Sequence, residues 1–361
     1  MSQRPRIYLD HAATTPILPA AKAAMLDAME RWANPSSPHA EGRAARAALE
    51  DARERIKRAL GWDGELIFTS GATEAIEIVL RGAGAYETTI STVEHDAVLR
   101  HAEGPQRIQV LPNGLVDMAR LRSWFDPHEA TELIAIQAAN NETGVIQPLA
   151  EVIATKSADW VGRQVTLLAD CAQTAGKMTL PAAEAISVSA HKLGGPPGTG
   201  ALLIRDFSRL EARGGQEHGY RGGTQNLPGI LGFAAAVEGQ VDWMPHALAL
   251  RTRLEDRLRE AGAGIVAKES PRIPTIGAYR MPGVPSETQL IHFDLAGIAV
   301  SAGSACSSGS MKPSHVLAAM GWVESEAREV VRVSFGPQTT EEEVEAFAQA
   351  WEELAERKRA A

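Results

Sequence analysis

The run Val165-Thr166-Leu167-Leu168-Ala169-Asp170 decides the fold. It is short, lacks the polar–apolar alternation of a half-exposed strand, and stops at a carboxylate. A strand buried on both faces reads this way. Downstream, Ala185–Ala190 and Gly200–Ile204 continue the series; upstream, Glu65–Ser70 (ELIFTS), Thr88–Val93, Ile108–Leu111 and Leu133–Ala138 are further strand candidates. Helical stretches such as Asp117–Phe125 and Leu149–Trp160 fall between them. Strands alternating with helices predict βαβ units, an α/β fold with a mostly parallel sheet between helices.

Residues 43–60 (RAARAALEDARERIKRAL) form an amphipathic helix that Gly61 closes. The last helix opens on a capping box, Thr340 with Glu343, and sets Val344, Phe347, Ala348, Trp351 and Leu354 on one core-facing stripe. Near residue 240 the alternating units give way to a helix (Pro245–Ala261), a strand-rich stretch and a Gly/Ser loop at Ser301–Ser310, which predicts a domain boundary.

The chain has 361 residues, 44% of them hydrophobic and 22% charged, enough for a sizeable core. Its net charge of −9, with no basic cluster, argues against nucleic acid as a partner. Neither a secretory leader nor a membrane-length apolar run is visible, and two cysteines, Cys171 and Cys306, make no disulfide framework. A cytoplasmic protein without a membrane partner is expected. No metal site is expected.

Several residues could carry chemistry. Ser70-Gly71-Ala72-Thr73-Glu74 joins a strand to a helix start, which suits a phosphate or is simply a tight turn capped by Thr73. Asp170 ends a parallel strand, where α/β folds bind ligands, or else caps the next turn; Gln173 is a second polar contact or a surface amide. Lys192, in Ser189-Ala190-His191-Lys192 ahead of a Gly/Pro-rich turn, is a candidate for amine chemistry if burial lowers its pKa. Cys306 sits among serines, glycines and alanines where a thiolate is accessible, whereas Cys171 follows an apolar strand and reads as packing. His95 ends a strand and is structural or catalytic, and Arg332, inside an apolar strand, needs a structural or a bound carboxylate.

Taken together these residues resemble the NifS/IscS-type cysteine desulfurases, in the class V aminotransferase-like branch of the fold-type I pyridoxal-phosphate enzymes. The resemblance runs through YLDHAATTP at 8–16, Asn34-Pro35-Ser36-Ser37, SGATE at 70–74, Asn140-Asn141-Glu142-Thr143-Gly144, DCAQ at 170–173, SAHK at 189–192, Arg221-Gly222-Gly223-Thr224, SAGSACSSGS at 301–310 and RVSFG at 332–336. It implies a large cofactor domain with a seven-stranded sheet over 15–244, and a smaller α+β domain from 1–14 and 245–361 that carries the Cys306 loop. It implies pyridoxal phosphate bound covalently by Lys192, with Asp170 at the pyridine nitrogen, Gln173 at the phenolate oxygen and His95 stacked on the ring. Ala72, Thr73, Ser189 and His191 would hold the phosphate, joined by Thr224 from a neighbouring subunit of a homodimer. Asn141, beside the cofactor, and Arg332 would hold the carboxylate of L-cysteine. Cys306 would take its sulfur and pass it to an acceptor such as an iron–sulfur scaffold protein. An aminotransferase or another lyase on the same fold would use the same cofactor residues; Cys306 separates the readings, because transamination has no use for a mobile thiol. His11 stands where the family commonly has asparagine or tyrosine, and Gly223 where it often has serine.

Overall fold

The structure is a computed structural model that describes residues 6–123, 132–159, 165–240, 242–303 and 313–360. Its centre is a seven-stranded sheet in the spatial order Glu65–Thr69, Gly200–Ile204, Ala185–Ser189, Val165–Asp170, Glu132–Gln137, Glu87–Ser91, Gln106–Ile108. The pairs from Ala185–Ser189 to Gln106–Ile108 are parallel, and Gly200–Ile204 runs antiparallel to both its neighbours. The strands that read as continuous apolar runs are the ones buried at every position, Glu132–Gln137, Val165–Asp170, Ala185–Ser189 and Gly200–Ile204.

Successive side chains of these strands enter opposite cores, as the pleat requires. Ile134, Leu167, Ile186 and Leu203 join Leu49 and Ile56 of helix Ala40–Leu60 and Phe233 of helix Leu227–Glu238. Leu133, Leu168, Ala185 and Leu202 join Ile76 and Val79 of helix Ala72–Gly82. Gly200 shows how tightly the sheet is packed beside the ligand-facing turn: a Cβ there would lie 2.6 Å from Gly71 Cα.

Helix Ala40–Leu60 starts three residues ahead of the expected stretch because the His39 ring accepts the Gly42 N–H, and it ends at Gly61 with φ 65°, the left-handed C-cap glycine supplies. The strand expected at Ile108–Leu111 is displaced to Gln106–Ile108; Leu111 instead turns back on Leu115 through a loop whose Gly114 has φ 84°. The capping box is formed, with Thr340 N–H on Glu343 Oε2 at 3.0 Å and Glu343 N–H on Thr340 Oγ1 at 3.3 Å. Phe125 and Trp160, the ends of two expected helices, lie outside the described residues.

A further core is built mainly from residue 243 onward. An antiparallel sheet of Val330–Ser334, Ile276–Arg280 and Gly264–Ile265 packs with helices Met244–Glu260, Ser286–Leu295 and Glu341–Ala360 around Leu254, Tyr279, Phe293, Phe347 and Trp351. Leu9 is buried in this core, and Ile7–Tyr8 pairs in parallel with Ile298–Ala299. The N-terminal segment then passes from this core to the carboxyl ends of the large sheet's strands.

Candidate active site

Those strand ends surround a cavity of about 390 Å³ lined by Ala72, Thr73, His95, Asn141, Asp170, Gln173, Ser189, His191, Lys192 and Arg332, together with Ala12, Ala13 and Gln137. The site residues expected from the sequence therefore converge here, apart from Thr224 and Cys306. Thr224 is exposed and does not line the cavity. Cys306 lies outside the described residues.

Asp170 ends the central strand, and its Oδ1 accepts the Ser187 hydroxyl at 2.8 Å and the Ala172 N–H at 3.0 Å. Ser187 comes from the next strand, so the sheet's own register fixes the carboxylate. Lys192 closes a single 3-10 turn after strand Ala185–Ser189, and its Nζ donates to the carbonyls of Ala12 at 2.5 Å and Ala13 at 2.7 Å. Gln173 Nε2 also donates to Ala12 O, at 3.0 Å, while its Oε1 is buried and unbonded among the described residues. The N-terminal motif thus supplies backbone acceptors to two site residues.

Helix Ala72–Gly82 points its N-terminus at the cavity beside the side chains of Thr73, Ser189 and His191. The His191 ring contacts Thr14 Oγ1 at 3.1 Å, and burial followed by the Lys192 charge holds its pKa down at about 4. His95 is the N-cap of helix Asp96–His101: its Nδ1 accepts the Ala97 N–H at 3.1 Å, which leaves the neutral ring's hydrogen on Nε2. Beneath it Glu94 is fully buried, accepts the Gln137 N–H at 3.0 Å, and is pushed well above the usual carboxylate range by burial.

Arg332 projects from the middle of strand Val330–Ser334. Its Nη1 donates to Asn141 O at 3.0 Å and its Nη2 to Asp10 Oδ1 at 2.7 Å. Ser301, five residues before Cys306, pairs with Arg332 through both backbone groups. Beyond the undescribed segment, Ser314 Oγ donates to Glu142 Oε2 at 2.5 Å and His315 Nε2 to Glu94 O at 2.9 Å. Both described flanks of the Cys306 segment are therefore tied to elements of the cavity.

The residues fit pyridoxal phosphate. A helix N-terminus, two hydroxyls and an imidazole suit the phosphate, Asp170 suits a protonated pyridine nitrogen, the unbonded Gln173 amide oxygen marks an unfilled polar position, and Lys192 is within the same cavity. Sequence reading missed Asp10, Glu94, Ser187 and the Ala12 and Ala13 carbonyls. Only Asp10 carried a signal, as the charged residue of YLDHAATTP. Among the described residues no His, Cys, Asp and Glu cluster is placed to hold a metal ion, and no helix is long and apolar enough to cross a membrane.

Comparisons with known proteins agree with this geometry. The family model described as Aminotransferase class-V matches residues 7–347. A cysteine desulfurase of Frankia sp. (strain EuIK1) is 38% identical, covering 95% of this chain and 89% of that protein. Among solved structures, a NifS-like protein from Rickettsia africae ESF-5 superposes with a TM-score of 0.89 at 31% identity, covering 97% of this chain and 99% of that one. SspA, solved in complex with cysteine, superposes with a TM-score of 0.79 at 29% identity, covering 92% and 100%.

Proposed function

The chain belongs to the aminotransferase class-V family and is a cysteine desulfurase, and we propose that it works with pyridoxal phosphate on Lys192 and with Cys306 as the sulfur-accepting thiol. One observation carries this reading: Lys192, Asp170, His95 and Arg332, which come from four separate elements of the chain, line one cavity.

Bound there, pyridoxal phosphate supplies an electron sink for negative charge developing at the substrate Cα. The protein's residues do the rest. Arg332 takes the carboxylate of L-cysteine, with Asn141 beside it. Lys192 would hold the cofactor and, as a free amine, would take the Cα proton and later return a proton to the carbon skeleton. His95, with its hydrogen on Nε2, helps move protons at the ring. The Cys306 thiolate attacks the substrate sulfur; the new S–S bond forms as the C–S bond breaks, and that electron pair stays with the carbon skeleton. Cysteine and one protein thiol thereby become alanine and one protein persulfide. The Ser301–Arg332 pairing supports the reach this requires, since five residues of extended chain span about 17 Å.

The reading extends to a large cofactor domain over 15–244 and a small domain from 1–14 and 245–361, supported by the core that Leu9 forms with residues from 243 onward. It includes a cytoplasmic homodimer in which the exposed Thr224 reaches the partner's phosphate, and delivery of the sulfur to an acceptor protein such as an iron–sulfur scaffold. The test is release of alanine and transferable sulfur from L-cysteine with no keto acid present. Turnover that requires a keto acid would make the chain an aminotransferase, and a monomer retaining the cofactor in dilute ultracentrifugation would remove the shared site.

A further inference from the structure

We propose that Asp10 is the positioning residue for Arg332, a fixed anion that holds the guanidinium edge ready for the substrate carboxylate. This deepens the reading above and rests on its assignment of Arg332 to that carboxylate.

The Arg332 side chain is only 6% exposed, so an unpaired charge there would be costly. Asp10 Oδ1 lies 2.7 Å from Nη2 and neutralises the guanidinium where it is buried. Asp10 is itself held from several directions. It forms a parallel bridge with Ser334, two residues along Arg332's own strand. The preceding Leu9 O accepts the Ser334 N–H at 2.8 Å, and Asp10 O accepts the Tyr8 hydroxyl at 3.2 Å. The acid and the guanidinium are therefore brought together by strand pairing and not by a mobile side chain alone.

The donor count fits a ligand. A guanidinium has five N–H groups, and the described residues take two of them, through Asp10 and through Asn141 O. Nε is buried with no partner among the described residues. Three N–H groups, Nε and one on each Nη, remain without a partner among the described residues, so donors are left for a substrate carboxylate while the Asp10 contact persists. The same segment places the Ala12 and Ala13 carbonyls on Lys192 Nζ. Residues 10–13 thus fix the distance between the group that takes the substrate carboxylate and the group that meets its amine.

The experiment is steady-state desulfuration by the dimeric holoenzyme, with visible absorbance and thermal melting recorded for every variant. Asp10→Ala is expected to raise KM for L-cysteine about tenfold and change kcat by less than about threefold, as expected for loss of one charge-assisted contact that orients a binding group. Asp10→Asn keeps an acceptor at the Oδ1 position but not the charge, and is expected to recover part of that loss, with the cofactor spectrum unchanged. Adding Asp10→Ala to Arg332→Ala is expected to cost nothing further, because Asp10 acts through Arg332. An unchanged or lowered KM in Asp10→Ala, failure of Asp10→Asn to recover, or additive losses in the double variant would each overturn the assignment. Arg332→Ala alone tests the underlying reading: an unchanged KM there removes Arg332 from substrate binding, whereas a raised KM there with a silent Asp10→Ala removes only Asp10.

Discussion

The two cysteines should behave as different chemical species. Cys171 follows Asp170 into the core, is 0% exposed, and joins the cluster that includes Ala169 and Ile186. Burial pushes its thiol up to about 12, against a hydrogen bond from Thr174 that pulls the other way, and the Asp170 charge adds to the rise. At pH 8 a thiol with that pKa is about one part in ten thousand thiolate, whereas an ordinary cysteine near 8.5 is about one part in four. Thiolate fraction alone therefore disfavours Cys171 by about three orders of magnitude, before its lack of access is considered. The perturbation is a pair of variants, Cys171→Ala and Cys306→Ala, each given a single turnover of sulfur-labelled L-cysteine and read by mass spectrometry of the intact protein and its peptides. Cys171→Ala should carry the label on Cys306 and turn over within about twofold of the parent. Its lost buried sulfur should cost about 1 kcal/mol, roughly 1–2 °C in Tm for a chain of this length. Cys306→Ala should keep its cofactor spectrum, bind cysteine, and carry no persulfide. Label on Cys171 with Cys306 unmodified would refute the reasoning, as would a folded Cys171→Ala protein that has lost most of its turnover.

Three further outcomes are expected. Lys192→Ala should lose both the visible absorbance of covalently bound cofactor and all detectable desulfuration; unchanged turnover would remove Lys192 from the mechanism. Glu217→Gln should lower stability by about 3 kcal/mol, or roughly 4 °C in Tm, because the Glu217 carboxylate accepts Arg53 at 2.8 and 3.3 Å, Phe68 N–H at 2.9 Å and Gln225 Nε2 at 2.8 Å, and an amide would turn its NH₂ onto one of these donor pairs; a Tm within 1 °C of the parent contradicts it. Burial, helped by the Lys177 charge, lowers the His11 pKa to about 4, so the unfolded chain binds the extra proton between about 6.5 and 4. Folding stability contributed by neutral His11 is then complete above about pH 6.5 and is lost as pH falls toward 4, and melts across that window should fall less steeply in His11→Asn; parallel curves would rule out this linkage.

How much of this was legible in the sequence depended on the range of the interaction involved. The sheet was, because a strand buried on both faces has to be apolar throughout: ELIAIQ at 132–137 and AISVS at 185–189 have no buried position to spare for a charge except at a strand end. The Thr340–Glu343 box and the Gly61 cap were legible because they close within three or four residues. The site was legible as a set of motifs in order, most of them at a strand or helix end, but its internal bonding was not. Ser187 reads as one more small residue in an apolar strand, and only the parallel register of its strand with Val165–Asp170 sets it on Asp170. Arg53 and Glu217 read as helix surface and loop, yet they form a buried pair across the chain beneath a turn in which Glu217 and His218 both hold positive φ.

Arg332 shows the limit most directly. An arginine inside VVRVS states that a partner must exist, because a buried guanidinium is costly alone. Composition cannot say which of the chain's 45 acidic residues answers it. The answer, Asp10, lies 322 positions away and is selected by a parallel bridge between the first motif and the last strand. That same crossing carries Ala12 and Ala13 to Lys192. Residues of YLDHAATTP therefore act through the path of the N-terminal segment, with Leu9 buried in the core beyond the large sheet and Ala12 lining the cavity. A carbonyl oxygen has no sequence signature, since every residue has one. The two such oxygens that hold the Lys192 amine could be found only after the segment's path was known, and they make backbone displacement at 10–13 as damaging to the site as loss of a side chain.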